Sequence, residues 1–195
     1  MKITLNENEL IAKVLVGNNQ QAFSQLVKYH QQSVRQYCRR LCAPDISLAD
    51  DIAQNTFLQA FRKLNLYQER GKEHGRGKFI SWLLSIAYFQ FLQHLRAKKT
   101  YQELDEHYLT PCNSEQLNHE MDLEMAMTQL SVNERSCLTL QYTFGYSQGE
   151  ISEMLETPLG TIKSYSKRGK DKLSLLLNAK TEDNQNDNPS ISGAA

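Results

Sequence analysis

Apolar residues recur at helical spacing along most of this chain, and that periodicity limits the folds open to it. Only nine glycines and four prolines interrupt 195 residues, and strand-like alternation of apolar and polar residues is scarce. Repetition near every 3.6 residues predicts amphipathic helices, and an apolar content of 40% is enough for packed cores. We therefore predict an all-α protein with one domain of ordinary size or two small ones.

Turn formers and helix caps divide the first hundred residues into four predicted helices. Gly17 separates the first two, and Pro44 ends the second because proline does not continue a helix. Ser47 and Asp50 have the spacing of a capping box, which predicts the start of a third helix. The segment Asn65–Lys78 is charged and rich in glycine, which predicts a loop. The four predicted helices are Leu10–Val16, Ala22–Leu41, residues 47–64 and Phe79–Lys99.

The composition changes at Thr100–Asn118, where a proline and several acidic residues replace the helical pattern, so we expect a flexible linker. Helical spacing resumes at His119, and further capping-box patterns occur at Ser131–Glu134 and Ser147–Glu150. We predict two small helical domains joined by this linker and followed by a polar, disordered tail. Their bounds are 1–99 for the first domain, 100–118 for the linker, 119–178 for the second domain and 179–195 for the tail.

A helix-turn-helix pattern ends the second domain. Ser147–Leu155 predicts a short helix, and Thr157 and Pro158 predict the cap and first residue of the next one. If Ile162 is buried, the helical period places cations and hydroxyls on the opposite face. Such side chains contact base edges and phosphates of duplex DNA, although an ordinary solvated helix face has the same pattern. The candidate duplex contacts are Thr161, Lys163, Ser164, Tyr165, Lys167 and Arg168.

The charges of the chain balance, with 22 basic and 22 acidic residues. Basic residues nevertheless cluster at Arg35–Arg40, Arg96–Lys99 and Lys163–Lys172. Local basic patches in a neutral chain fit a protein that touches DNA but mainly docks on another protein. Met1–Glu9 is polar and acidic, unlike a secretory signal, so we expect a cytoplasmic protein with free thiols.

Cys38 and Cys42 lie one helical turn apart, and with His30 upstream they are the candidate metal ligands of this sequence. Their neighbours Tyr37 and Leu41 favour ordinary helix packing instead. The sequence contains no paired-carboxylate cleft, glycine-rich phosphate loop or metal-spaced histidine cluster. We therefore predict neither an enzyme nor a bound cofactor.

Two separate parts of the chain, one at Ala49–Leu58 with Phe79–Ala87 and the other at Gly145–Ser164, resemble the extracytoplasmic-function (ECF) sigma factors of bacterial RNA polymerase. Gly145–Ser164 is similar to the fourth region of that family, most specifically over Leu159–Ser164. Ala49–Leu58 resembles the helix of the second region, and Phe79–Ala87 with residues 94–96 resembles the helix that reads the upstream promoter strand. The resemblance extends from about residue 10 to 177 in the family's order. It implies no catalytic residue, because the polymerase performs the chemistry.

The resemblance implies that the first domain docks on core RNA polymerase and melts the minus-ten promoter element, while the second reads the minus-thirty-five element as duplex. Asp51, Gln54 and Leu58 share one ridge of the third helix, a candidate polymerase interface. Exposed aromatic side chains beside cations suit unstacked bases. The candidate contacts to the melted strand are Arg70, Arg76, Tyr88, Phe89, Arg96, Lys98 and Lys99. An anti-sigma factor is a further partner typical of the family.

Several positions depart from the family pattern. Tyr88 and Phe89 stand where polar or basic residues are usual, Glu156 replaces a common turn glycine, and Tyr165 replaces a common arginine. The loop at 65–78 is longer than usual, and both the capture of a flipped base and a plain surface loop fit it. We expect Phe57 and Trp82 in the core.

Two other functions fit parts of the sequence. One is a plain helix-turn-helix regulator, which binds duplex DNA by itself, usually as a dimer on a palindrome. The other is an adaptor that binds only proteins. The aromatic helix with its basic end favours a sigma factor over both.

Overall fold

A computed structural model describes residues 6–67, 79–104 and 123–183 of the chain. Within these ranges the chain forms helices and no strand, which confirms the all-α prediction. The described helices form two compact units: the first contains the helices up to residue 104 together with Ser152–Thr157, and the second contains the remaining residues from 123 onward. None of the described helices combines the length and apolar character needed to cross a bilayer. They are α1 Glu7–Gly17, α2 Gln20–Cys42, α3 Ile46–Arg62, α4 Phe79–Leu104, α5 Leu123–Thr128, α6 Val132–Tyr142, α7 Gln148–Met154 and α8 Leu159–Asp183.

Two asparagines make the sharp connection between α1 and α2. Asn18 adopts the left-handed conformation with φ 50°, and its backbone N–H donates to the carbonyl of Val14, which ends α1. The side chain of Asn19 accepts a hydrogen bond of 3.0 Å from the Ala22 N–H, which caps α2. Asparagine tolerates the left-handed region and is a strong cap. The sequence therefore determines this turn locally.

The core of the first unit lies among α2, α3 and α4, with α1 packed on α2. Its side chains with the least exposure include Leu26, Val34, Tyr37, Leu41, Phe79, Leu83 and Leu84. His30 lies at the edge of this core, with its Nε2 2.9 Å from Glu7 Oε2. Burial lowers the pKa of His30 more than the Glu7 carboxylate raises it. This pair ties α1 to the rest of the unit.

Some helix bounds differ from the sequence predictions. The predicted cap at Ser47 is wrong, because Asp45 accepts the Leu48 N–H at 2.9 Å and α3 begins at Ile46. A short helical turn at 64–67 follows α3. α4 continues past Lys99 to Leu104, and α8 continues past Leu177 to Asp183.

In the second unit α6 packs against α8, and α5 also contacts α8. The capping box predicted at the start of α6 is confirmed, with Ser131 and Glu134 each accepting the other's backbone N–H. Gly169 lies where the two helices approach most tightly, because a Cβ added there would be 2.9 Å from Leu138 Cδ1. Leu138 is buried, so it cannot move away without repacking the core.

Two glycines of α8 provide a matched test of this packing. Alanine at position 169 would crowd Leu138, and overpacking a core commonly costs about 1–3 kcal/mol. Alanine at position 160 would meet nothing within 4 Å, and removing a helical glycine commonly stabilises by about 0.4–1 kcal/mol. We therefore expect G169A to lower the free energy of unfolding and G160A to raise it. Urea denaturation followed by circular dichroism measures both, and a stabilising G169A would contradict the close helix contact.

Candidate functional site

The helix-turn-helix segment consists of α7, a short turn and α8. The capping box at the start of α7 is confirmed, because the Ser147 N–H donates to Glu150 Oε2 at 2.8 Å and the Glu150 N–H donates to Ser147 Oγ at 3.2 Å. In the turn, Glu156 has φ 50°. This left-handed conformation suits glycine best, which explains why a turn glycine is common at this position in the family that the sequence resembles.

The start of α8 differs from the predicted cap. The hydroxyl of Thr157 donates to the Leu155 carbonyl at 3.0 Å. Pro158 is the capping residue, because its carbonyl accepts the Ile162 N–H at 3.1 Å. The hydroxyl of Ser152 also donates to the Thr157 carbonyl, at 2.6 Å. The two hydroxyls therefore stabilise the turn, and the prediction of Thr157 as the helix cap is wrong.

α8 turns one face to the core and the other to solvent, as the helical period predicts. Ile162 and Ser166 are buried, and Gly169 packs on α6. Of the six candidate duplex contacts, four are exposed, namely Lys163, Ser164, Lys167 and Arg168, and two are half-buried, namely Thr161 and Tyr165. The outer face of α8 thus offers cations and hydroxyls together, which is the chemistry of duplex-DNA contact.

Arg168 is held in place from two sides. Its guanidinium carbon lies 5.3 Å from the centre of the Tyr165 ring, a cation–π contact. Its Nε lies 3.9 Å from Glu134 Oε1, while 59% of the Arg168 side chain remains exposed. Tyr165 therefore supports the arginine one turn further along α8, whose side chain remains more than half exposed.

Glu134, predicted only as part of a helix cap, has its carboxylate beneath α8, within reach of two cations of that helix. The side chain is 4% exposed, and Lys172 Nζ lies 2.8 Å from its Oε2. The Ser131 N–H donates to the same oxygen at 3.0 Å. Burial by itself raises the pKa of Glu134, but hydrogen bonds from Lys172 and Ser131, together with the lysine charge, lower it overall. Capping-box spacing predicts the contact with Ser131, whereas nothing in the sequence pairs Glu134 with α8.

A second aromatic contact on α8 was also missed. Lys170 Nζ lies 5.3 Å from the centre of the Tyr142 ring, and Tyr142 is 64% exposed at the end of α6. An exposed aromatic residue near a helix end gives no sequence signal for such a pair. The contact holds Lys170 on the flank of α8 opposite Arg168.

In the first unit, the predicted ridge on α3 is exposed. Asp51, Gln54 and Leu58 all face solvent, with Leu58 54% exposed. A groove of about 500 Å³ between α2 and α3 borders this ridge. Phe57 lines the groove and is half-buried, so its assignment to the core is wrong. The groove is lined by Gln20, Phe23, Ser24, Val27, Gln31, Arg35, Ala53, Gln54, Phe57, Leu58 and Phe61.

The aromatic helix α4 is more deeply buried than predicted. Tyr88 is only 4% exposed, so its prediction as a contact to melted DNA is wrong. α4 packs against both α2 and α3, and these two neighbours cover more of its circumference than one apolar stripe. Phe89 is half-buried, and Arg96 and Lys98 are exposed. Trp82, expected in the core, is half-buried against Tyr67 and Phe79.

Some predictions fall outside the part of the chain that the structure describes. Arg70 and Arg76 lie there, with most of the predicted loop, and so does the side chain of Lys99. The candidate metal ligands are described. Cys38 and Cys42 are buried free thiols, and burial raises the pKa of Cys38 far above its ordinary value. Because the thiolate is the form that binds metals, this environment favours the packing role.

Two family models match the chain in the order of the two units. A model of sigma-70 region 2 matches residues 26–101, and a model of sigma-70, region 4 matches residues 120–173. Together they cover about two thirds of the chain.

Known proteins similar along most of the chain carry the same family name. The ECF RNA polymerase sigma factor SigC of Mycobacterium tuberculosis is 24% identical, with 94% of this chain and 98% of the relative covered. The ECF RNA polymerase sigma factor SigW of Bacillus subtilis is 25% identical, with 83% and 91% covered. The ECF RNA polymerase sigma factor SigE of Mycolicibacterium smegmatis is 30% identical, with 78% and 60% covered.

Solved structures show the same fold. The sigma factor RpoE from Bartonella quintana, solved with the anti-sigma factor NepR, matches with a TM-score of 0.64 and 22% identity over 80% of this chain and 96% of that one. CnrH, solved with the cytosolic domain of CnrY, matches with a TM-score of 0.58 and 24% identity over 89% and 97%.

Replacing Glu134 with glutamine tests the buried carboxylate through pH. Because its pKa is lowered in the folded protein, its contribution to stability is present above the ordinary value of 4.5 and is lost as pH falls through the lowered folded value. We expect E134Q to reduce the free energy of unfolding by about 1–2 kcal/mol at neutral pH. The difference from the native chain should shrink below about pH 4. Urea denaturation at several pH values measures it, and a difference independent of pH would contradict the charged network.

Proposed function

Because the chain belongs to the ECF family of sigma factors of bacterial RNA polymerase, we propose that its two helical units divide promoter recognition between them. The chain binds core polymerase and directs promoter-specific transcription initiation. In our proposal the first unit holds the polymerase and acts on the minus-ten element, and the second reads the minus-thirty-five element. The polymerase supplies the chemistry, and the place of action is the cytoplasm.

The observation that carries this division is that each unit has its own exposed face of suitable chemistry. The first has a mixed polar and apolar ridge beside an apolar groove. The second has a helix with exposed lysines, arginine and serine after a short turn. The first chemistry fits a protein partner, and the second fits a duplex.

For the polymerase interface we propose the ridge of Asp51, Gln54 and Leu58 together with the neighbouring groove. Leu58 is part of the ridge and also lines the groove. An apolar side chain of the polymerase that packs on Leu58 would therefore exclude water from the groove and the ridge together. Buried apolar anchors supply most of the binding energy at such interfaces. Asp51, the exposed acidic member of the ridge, adds electrostatic attraction to a basic helical partner.

A triple substitution tests this interface. We expect alanine at Asp51, Gln54 and Leu58 to weaken binding to core polymerase by at least about tenfold, since losing one interface hot spot commonly costs about 2 kcal/mol or more. The matched control replaces Gln25, Gln32 and Gln36, which are exposed on the other side of α2. A pull-down with core enzyme measures the binding of both variants, and circular dichroism checks that both remain folded. Equal binding by the two variants would place the interface elsewhere.

For the melted strand we propose Phe89, Arg96 and Lys98 on α4. A half-buried ring at Phe89 can stack on an unpaired base, and the exposed cations toward the end of the helix follow the phosphates. The proposal also includes Arg70, Arg76 and Lys99 as contacts to the melted strand, because the resemblance to the family implies this role for them. Tyr88 is excluded by its burial.

For the duplex we propose that α8 enters the major groove with Lys163, Ser164, Lys167 and Arg168 outward. Among the described residues, Lys163 and Lys167 have no carboxylate within salt-bridge distance. They are thus available to phosphates, which contribute affinity without reading sequence. Arg168 is restrained by Tyr165 and Glu134, and a restrained guanidinium suits two parallel hydrogen bonds to guanine. Thr161 and Tyr165 lie at the edges of this face.

Two alanine substitutions on neighbouring residues separate these roles. We expect R168A to cost about 1–3 kcal/mol of binding, confined to one base position of the upstream element. We expect K167A to weaken binding to all sequences and to lower the salt slope by about one. Neither should impair initiation on a pre-melted template, which bypasses upstream duplex reading. If R168A blocked initiation equally on duplex and pre-melted promoters, α8 would not be the upstream reader.

We further propose that an anti-sigma factor binds this chain. The support is that a protein of similar fold, the sigma factor RpoE, was solved in complex with the anti-sigma factor NepR. A partner that covers the ridge on α3 would compete with core polymerase.

A further inference from the structure

The two flanks of α8 differ in how their cations are compensated. On one flank, Arg168 and Lys172 both face the buried carboxylate of Glu134, at 3.9 and 2.8 Å. On the other, Lys163 and Lys167 have no carboxylate partner within the described ranges. Lys170, also on that flank, contacts the ring of Tyr142. Glu134 thus pairs with the cations of one flank of α8 and not with those of the other.

This asymmetry arises from the close contact of α6 and α8. A Cβ at Gly169 would lie 3.4 Å from Glu134 Cβ, so α8 passes directly over the carboxylate. Arg168 and Lys172, which lie before and after Gly169 in α8, therefore both reach the carboxylate of Glu134. Because Glu134 is almost fully buried and is also bonded to Ser131, it cannot turn away to solvent. Its position relative to α8 is therefore fixed by the core.

We propose that Glu134 is a positioning residue for duplex reading, which holds Arg168 for base contact and compensates one of the two positive charges on the Arg168–Lys172 flank. This inference rests on the proposed function of α8. An arginine that is already oriented loses less conformational freedom when it binds a base edge. Compensated cations attract phosphate less, so binding to unrelated DNA is weaker. Both effects raise the ratio of specific to nonspecific affinity, which is what a promoter reader needs.

The experiment uses the full chain with core polymerase and compares three variants with the native protein. E134Q removes the charge that holds the α8 cations. S131A is the matched control, because it removes the hydroxyl that accepts the Glu134 N–H at 3.3 Å and leaves the carboxylate in place. R168A reports whether that arginine reads a base at all. Binding is measured to promoter DNA, to promoters with one upstream base changed, and to unrelated duplex, at several salt concentrations.

We expect E134Q to reduce discrimination at the base read by Arg168 about three- to tenfold and to steepen the salt slope by about one, because one compensating negative charge is lost. S131A should lower stability and leave both quantities unchanged. If E134Q matches S131A in both, Glu134 has only a structural role and the inference is overturned. If R168A itself shows no base-specific loss, the proposed role of α8 fails, and the inference fails with it.

Discussion

The contact between α6 and α8 at Gly169 determines how the second unit presents the exposed face of α8 that we propose reads duplex DNA. Without a side chain at this position, α8 lies close enough to α6 for Leu138 to fill the gap and for the Glu134 carboxylate to lie under the helix. A larger residue would separate the helices, and the carboxylate would then lose Lys172 and Arg168. Packing, capping and charge are therefore coupled in the same few residues. A buried network of this kind is stabilising only when every member is satisfied, and here the start of α6 supplies one of the partners.

The first unit depends on a different constraint, the coverage of α4 by two neighbouring helices. α2 and α3 both pack on it, which buries Tyr88 and Phe91 and leaves Phe89 half-buried. The aromatic surface left for a melted strand is consequently small, and the cations at Arg96 and Lys98 lie further along the same helix. In contrast to α4, α3 keeps Leu58 and its polar neighbours exposed to solvent. One helix is thus suited to hold a protein and the next to meet DNA, because each is buried on a different side.

Much of this architecture could be predicted from the sequence because the signals are local. Ser131 and Ser147 each stand three residues before a glutamate, and both capping boxes form. The helical period placed Ile162 inside and Lys163 and Lys167 outside, as the structure does. The errors arose where local signals compete or where contacts are distant. Asp45 and Ser47 are both residue types that cap helices well, and the capping-box spacing of Ser47 led to the wrong choice, because Asp45 caps α3. Burial of Tyr88 depends on two helices that precede it in the chain, and the pairing of Glu134 with Lys172 has no sequence pattern at all.

The central claim is that the chain recognises promoters as part of the polymerase and not as a free DNA-binding protein. In vitro transcription with purified core polymerase tests it most directly, with promoter fragments and unrelated duplex compared in the presence and absence of the chain. The account predicts initiation at defined promoters only when chain and core enzyme are both present, with weak binding of the free chain to the same duplex. Tight, specific duplex binding by the free chain, together with no stimulation of the core enzyme, would contradict the account and identify a plain helix-turn-helix regulator.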